Sequence, residues 1–525
     1  MRFLLVNPFC VLSEAPTPPL GVAFLAAALE DAGIEVKVLD LVTYPYDTAM
    51  LESLLKSFKP QIVGSTAVTM TFNDAIEVIR DVKRIDPDIL TVMGGPHVTF
   101  CAKATLDSFR ELDLIVLGEG EQAIVDLTRE AERGRDWSKV RGLAYRSGTE
   151  VHSTARGAPL DVDSLPRPAR HLLPLGRYKT LNMSISMTTS RGCPFRCIFC
   201  VGRRMVGAKV RYRNPQAVVD EMQYLATLGF PQINVADDLF TAKKDHCLAI
   251  CDEIIRRGVN ARWSCFARVD TVSPPVLERL RQAGCVTVGF GVESANAEIL
   301  ETIKKRITIP KVVSAMEMCA DAGIQPHVSF ILGLPGETPE TMKETLEFGK
   351  RIEALGANYG FHLLAPFPGT AVREENEKYD LKILSNDWSD YHANRAIVET
   401  SSVKREMLDE IVDEWNRVIL AKLREPANGG EATKDGVPQF SNLERILVYY
   451  DLMMKRAIEE DGSWRNGSGP VPRDEALRDL AGRVYGSTDR TERDAYYILS
   501  YAVENGHLRY VQDGERIRWE WNDYL

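Results

Sequence analysis

The chain has 525 residues, 45% hydrophobic and 26% charged, which excludes disorder, collagen and a disulfide-dense miniprotein and suggests about three domains at ~150 residues each. Sixty-four Lys and Arg against 74 Asp and Glu leave a net charge of −10, which argues against general binding to a phosphate backbone. The longest apolar stretch, Val22 to Leu29, falls short of the ~20 residues that span a bilayer, and one Arg before a short apolar run makes no secretory signal, so a cytoplasmic chain is expected.

Residues 1–139 alternate short apolar runs with helical patterns. Strands are predicted at Phe3–Val6, Val36–Leu39, Ile62–Ser65, Thr91–Met93 and Leu114–Val116, and helices at Leu20–Ala32, Leu51–Phe58, Phe72–Ile85 and Gln122–Arg133. Such spacing implies parallel βαβ units in a doubly wound, Rossmann-like sheet. A ligand of that fold lies beyond the carboxyl ends of the strands. There the chain places Pro19 and Gly21, Gly64-Ser65-Thr66, Gly94-Gly95-Pro96-His97 and Gly118-Glu119-Gly120-Glu121. No G-x-G-x-x-G follows the first strand, which argues against a dinucleotide. Four such rims on one sheet edge favour a large, flat ligand, because glycine lets it approach the main chain closely.

Residues 140–179 are Pro-rich (Pro159, Pro166, Pro168, Pro174) and read as an irregular linker. A second alternating series fills 180–383. Its strands are expected at Ser184–Thr188, Gln232–Ala236, Arg262–Ala267, Thr287–Phe290, His327–Leu332 and Tyr359–Leu363. The intervening helices are Pro215–Leu228, Lys243–Arg257, Pro274–Ala283, Ile309–Ala322 and Pro339–Ala354, with Asn214 capping the first. Six strands alternating with helices predict a partial (β/α)6 barrel with its chemistry at the strand C-termini. From 384 to 525 the pattern turns mainly helical (Lys404–Leu423, Gln439–Ala457, Asp489–Asn505), and Leu508–Trp519 reads as a hairpin turning at Asp513-Gly514. Helices before a hairpin suggest either a winged-helix-like DNA-binding unit or, with this mixed charge, a cap packed on the barrel. Trp388, Tyr391, Trp415, Tyr449 and Tyr450 are candidates to wall an apolar substrate cavity, and Pro426–Gly436 reads as linker.

Seven of the ten cysteines are scattered, as buried thiols of a reducing compartment would be. Cys247 and Cys251 share a helix face, with no further ligands near them in sequence. Cys193, Cys197 and Cys200 differ, forming C-x3-C-x2-C directly after the first barrel strand. Three thiolates in one loop select zinc or an iron–sulfur cluster. A structural zinc normally takes four protein ligands, and no matching pair follows.

This segment resembles the radical S-adenosylmethionine (SAM) superfamily. The resemblance implies a [4Fe–4S] cluster on Cys193, Cys197 and Cys200, with one iron left open to chelate SAM. It also implies SAM contacts from Phe199 and from residues ending later strands: Asp237, Asp238, Arg268, Glu293, Gly333, Gly336 and Glu337. A doubly wound domain before such a barrel resembles the cobalamin-binding class, which implies cobalamin (as methylcobalamin) against the four rims. The D-x-H-x-x-G signature is absent, and His97 is the only candidate cobalt ligand in residues 1–135. The class further implies an electron donor such as flavodoxin or ferredoxin and a small-molecule or lipid-like substrate. The activity expected is C-methylation of an unactivated carbon by a 5′-deoxyadenosyl radical and methylcobalamin. The alternative is oxidative cyclisation, in the manner of the anaerobic magnesium-protoporphyrin ester cyclases. A methylthiotransferase, which usually brings three more N-terminal cysteines, and a DNA-binding cobalamin sensor are weaker readings.

Overall fold

A computed structural model describes residues 1–11, 16–424, 440–459, 472–513 and 516–524. The N-terminal sheet comprises β1 (Arg2–Asn7), β2 (Glu35–Asp40), β3 (Ile62–Thr66), β4 (Leu90–Gly94), β5 (Leu114–Val116), β6 (Leu143–Ser147) and β7 (Glu150–Ser153), in the order β2-β1-β3-β4-β5-β6-β7. The first five strands are parallel, and β6 and β7 add antiparallel. Helices α1 (Leu20–Asp31) and α5 (Glu121–Arg133) cover one face, while α2 (Thr48–Phe58), α3 (Phe72–Ile85) and α4 (Pro96–Ser108) cover the other. Strand order reverses at β1/β3, which opens a crevice at the carboxyl edge.

Two sequence expectations are corrected here. The predicted helices omit α4, which Pro96 opens directly from the rim with Gly95 at its N-cap. The run Val98-Thr99-Phe100-Cys101 lacks a helical stripe, which hides this helix from a periodicity reading; the Pro at the first helical position was the available signal. Nor is 140–179 irregular throughout, because Leu143–Ser153 pairs onto β5 as a hairpin turning at Gly148, and Leu175–Thr180 forms a short helix, α6.

The second sheet holds β8 (Ile185–Met187), β11 (Ile233–Val235), β12 (Trp263–Ala267), β13 (Cys285–Glu293), β14 (Gln325–Leu332) and β15 (Asn358–Leu363), all parallel and in sequential order. A short ribbon of β9 (Ser190–Arg191) and β10 (Arg211–Tyr212) flanks the cysteine loop. Alternate residues such as Ile233, Trp263, Val288, Val328 and Phe361 pack on the outer helices in one apolar core, as a half-barrel requires. Asn214 caps Pro215–Thr227 as expected, accepting from Gln216 N at 2.8 Å.

Beyond the barrel, helices Arg405–Arg424, Asn442–Met454, Arg473–Val484 and Glu492–Glu504 precede a terminal hairpin of Leu508–Asp513 and Arg516–Trp521. The third of these helices was not anticipated. The predicted linker at 426–436, and Gly514 of the expected turn, lie outside the described residues. The terminal helices share a core with Val42, Tyr178, Leu181 and Met183, so this unit packs on the α6 segment and the N-terminal domain. Contact there is close, since a Cβ on Gly176 would fall 1.6 Å from the Asn522 carbonyl oxygen. Arg177, only 3% exposed, pairs with Glu459 and Asp523. Among the described residues no helix is long and apolar enough to cross a membrane.

Candidate functional site

A cavity of 480 Å³ lies where the carboxyl edge of the N-terminal sheet meets the barrel mouth. The sheet contributes Gly21, Gly64, Ser65, Thr66, Gly94, Gly95, Pro96, Gly118 and Gly120. Opposite them stand Thr188, Ser190 and Arg191, then Val201, Gly202, Met205 and Val206 after the last loop cysteine, then Ala236 and Asp238 from the end of β11. Gly95 holds a φ of +100°, and a Cβ there would lie 2.6 Å from the Ala67 carbonyl oxygen, so the β4–α4 junction needs a glycine. All four predicted rims therefore reach one space.

Two residues of those rims do not line it. Pro19 precedes α1 and accepts the Ala23 N–H. His97 is 1% exposed, packed between a tilted Phe72 ring (centroids 4.4 Å apart) and an edge-on Trp388 (4.7 Å), with Nδ1 3.4 Å from Thr69 Oγ1. Burial, aided by Arg373, pushes it down to about 4, so it is a neutral core imidazole. The candidate cobalt ligand is thus turned away from the cavity.

Glu119 and Glu121 do reach the cavity, but their carboxylates are spoken for. Arg191 binds Glu119 at 3.0 Å and Glu121 at 2.6 Å, and Arg211 binds Glu119 at 2.9 Å. These pairs clamp the sheet edge to the β9–β10 ribbon. Arg191 and Arg211 had not been singled out, although Arg191 stands two residues before Cys193 and so beside the most diagnostic motif in the chain.

The loop itself is fastened from behind. Gly192 (φ +122°) passes within 2.6 Å, at its would-be Cβ, of the Lys209 carbonyl oxygen. Cys193 N donates to Gly207 O, Arg203 Nη1 to Pro194 O, and Ile198 N to Ile303 O. Cys193 and Cys197 are half-buried and Cys200 is exposed, directly before the cavity-lining Val201 and Gly202. Desolvation by the surrounding protein raises all three thiols, Cys200 to about 11. Among the described residues no three His, Cys, Asp or Glu side chains meet on a centre that would hold a single metal ion. The three free thiols of this one loop are the soft donors that an iron–sulfur cluster takes, one to each of three irons.

Several expected SAM contacts prove to be internal braces. Asp237 is fully buried and accepts Thr189 N and Oγ1 (both 2.6 Å), Ser190 N (3.1 Å) and Ser190 Oγ (2.7 Å), which leaves it nothing for a ligand. Arg268 grips Asp270 in a bidentate pair, donates to Lys305 O and lies 3.8 Å over the Phe195 ring. Glu337 accepts Gly333 N and Leu334 N, and burial raises it to about 8. Gly333 sits under Leu408 and Gly336 near Ile299, so neither opens onto the cavity. Glu293 holds a left-handed φ of +74° and accepts Lys305 Nζ at 2.8 Å. Phe199 is half-buried against the barrel core. Asp238 alone of the predicted carboxylates is exposed on the cavity wall. The tail aromatics pack elsewhere: Trp388 on His97 and Tyr391, Trp415 on Tyr359 and Phe361, Tyr449 on Trp521, Tyr450 on the terminal core.

Residues 187–349 match the radical SAM superfamily, and residues 9–128 match the B12 binding domain. An uncharacterized methyltransferase of Pyrococcus horikoshii is 32% identical over 398 residues, covering 75% of this chain and 86% of that protein. The anaerobic magnesium-protoporphyrin IX monomethyl ester cyclase of Rubrivivax gelatinosus is 30% identical over 441 residues, covering 80% and 78%. Among solved structures, the radical SAM methyltransferase TsrM from Kitasatospora setae superposes with a TM-score of 0.66 at 21% identity, over 88% of this chain and 98% of that one.

Proposed function

Because this chain belongs to the radical SAM superfamily, in the branch that carries a B12 binding domain, we propose that it is a cobalamin-dependent radical SAM enzyme that methylates an unactivated carbon. The observation that carries this reading is one cavity with a glycine rim on one wall and the residues following Cys200 on the other. Cys193, Cys197 and Cys200 would hold a [4Fe–4S] cluster, Asp238 would face SAM, and Gly21, Gly64, Ser65, Thr66, Gly94, Gly95, Gly118 and Gly120 would face the corrinoid. When bound, cluster and SAM supply a hydrogen-abstracting 5′-deoxyadenosyl radical and the corrinoid supplies the methyl group.

An unactivated C–H bond is too weak an acid for a side-chain base. The chain's own residues accordingly bind, orient and exclude water. Asp237 holds the strand end from which the cysteine loop starts. Arg191 and Arg211 hold the two walls together. Leu5, Val22, Val92, Val116 and Ile124 keep the sheet side apolar. A one-electron donor such as flavodoxin or ferredoxin would complete the system.

Oxygen-free reconstituted protein given SAM and a chemical reductant is expected to retain a corrinoid and release 5′-deoxyadenosine. The Cys193, Cys197, Cys200 triple Ala variant should release none, and undiminished cleavage by it defeats the proposal. The similarity to the Rubrivivax cyclase favours oxidative cyclisation as a second reading. Product mass separates the two, because methylation adds a CH2 unit and cyclisation removes hydrogens or adds oxygen.

A further inference from the structure

The inner face of the barrel sheet carries side chains that neither the cysteine loop nor the cavity wall employs. Register partners on parallel strands share a face, so Phe266, Gly289, His327 and Asn358 form one row across β12, β13, β14 and β15. Their sequence neighbours Cys265, Val288 and Val328 are buried in the helix-backed core, which leaves this row facing the lumen. Phe266 is 55% exposed, an unusual state for a phenyl ring on a central strand. A Cβ on Gly289 would stand 2.8 Å from Phe266 Cδ1, so the bare glycine is what lets the ring lie across β13.

The next lumen row toward the strand C-termini is Gly291, Ser329 and Gly360, and nothing lies within 4 Å of where a Cβ of Gly360 would be. One row further, His362 stands beside Ile331. Two imidazoles thus bracket a strip of small residues that is flanked by an open aromatic ring. Glu293, the carboxylate ending β13, is already held by Lys305. His327 is exposed on this face, and partial desolvation with the neighbouring His362 holds it below the ordinary imidazole range; a neutral imidazole offers one donor and one acceptor nitrogen.

We propose that this lumen face binds the acceptor substrate, and that the acceptor is a planar heteroaromatic ring set against Phe266 over the Gly289 and Gly291 backbone, its heteroatoms hydrogen-bonded by His327 and His362. A flat ring fits a floor of glycine and serine and gains a π contact from Phe266, whereas a puckered aliphatic ring of equal size loses both. The inference rests on the reading that the adjoining barrel mouth carries the radical chemistry.

The test uses indole as the planar probe and cyclooctanol as the puckered one, titrated into full-length reconstituted protein by calorimetry and saturation-transfer NMR. Indole is expected to bind at least about fivefold more tightly than cyclooctanol, and Phe266→Ala to weaken indole about tenfold. Phe266→Leu should fall between, and Gly289→Ala, which keeps the ring but pushes it off the strand, should weaken indole several-fold. His327→Ala should weaken indole several-fold, by removing the acceptor for its N–H. Equal binding of the two probes, or wild-type indole affinity in both Phe266→Ala and Gly289→Ala with the iron–sulfur chromophore intact, overturns the inference. A wild-type protein that takes up no iron counts instead against the proposed function.

Discussion

On its N-terminal wall the cavity presents Gly21, Gly64, Gly94, Gly95, Gly118 and Gly120, and on its barrel wall Thr188, Ser190, Arg191 and Asp238 beside the cysteine loop. The first wall offers main chain and apolar surface, with no free charge. The second carries Arg191, paired to Glu119 and Glu121, together with the exposed Asp238 and the three thiols of the cysteine loop. A broad ligand can be held by shape and backbone on one side, while a charged, reactive ligand requires oriented groups on the other. Rigidity is obtained differently as well. Glycine geometry fixes the sheet edge, and a dense set of hydrogen bonds fixes the barrel mouth.

If that contrast is real, damage to the barrel wall should be the more severe. Asp237→Ala strands four donors at the base of the cysteine loop and is expected to cost about 3–5 kcal/mol in denaturant titrations, with iron content falling close to zero. Normal iron loading in this variant would mean that the carboxylate does not organise the loop. Arg191→Ala cuts the clamp between the walls, leaving Glu121 unpaired and Glu119 to Arg211 alone. A loss of about 2–3 kcal/mol is expected, with corrinoid retention reduced more than iron content. An equal fall in both would show that the walls are not separable.

Gly120→Ala probes the sheet side. Its Cβ would stand 3.1 Å from Leu25 Cδ2, an overlap a leucine can largely relieve, so stability should change by about 1 kcal/mol. Corrinoid retention should nevertheless drop, as read from the visible spectrum of purified protein. At low pH the smallest effect is expected for Glu337→Gln, which mimics the protonated acid and should shift stability below pH 4.5 by less than about 1 kcal/mol, while at pH 7 the variant should be the more stable protein. Its signature is in the pH profile. With the folded carboxyl raised from 4.5 to about 8 by burial, the native state binds the proton more tightly than the unfolded chain. That contribution is complete below pH 4.5 and disappears as pH climbs through 8. Wild-type stability should therefore decline across this window more steeply than that of Glu337→Gln.

Much of this architecture was legible in the sequence. The parallel strands could be read because both faces of each sheet are buried, which writes short continuous apolar runs between amphipathic helices. The cysteine loop could be read because spacing and a strand end together define it. Helix Pro96–Ser108 escaped because β-branched and aromatic residues open it, and strands β6 and β7 escaped because prolines further along 140–179 suggested an irregular connection. Carboxylates at strand ends could be located but not assigned. Asp237, Glu119, Glu121 and Asp238 look alike in the chain, and only the last is exposed on the cavity wall without an ion pair among the described residues.

Taken alone, the order of residues determined which segments become strands, which edge of each sheet carries the glycines, and which three thiols share a loop. Those are local matters of periodicity, backbone freedom and spacing. The partners of each charge, the inward turn of His97 into an aromatic core, and the row that sets Phe266 beside Gly289 and His327 came only with the tertiary structure. Each depends on residues tens to hundreds of positions apart being brought into register, and no local rule encodes that distance.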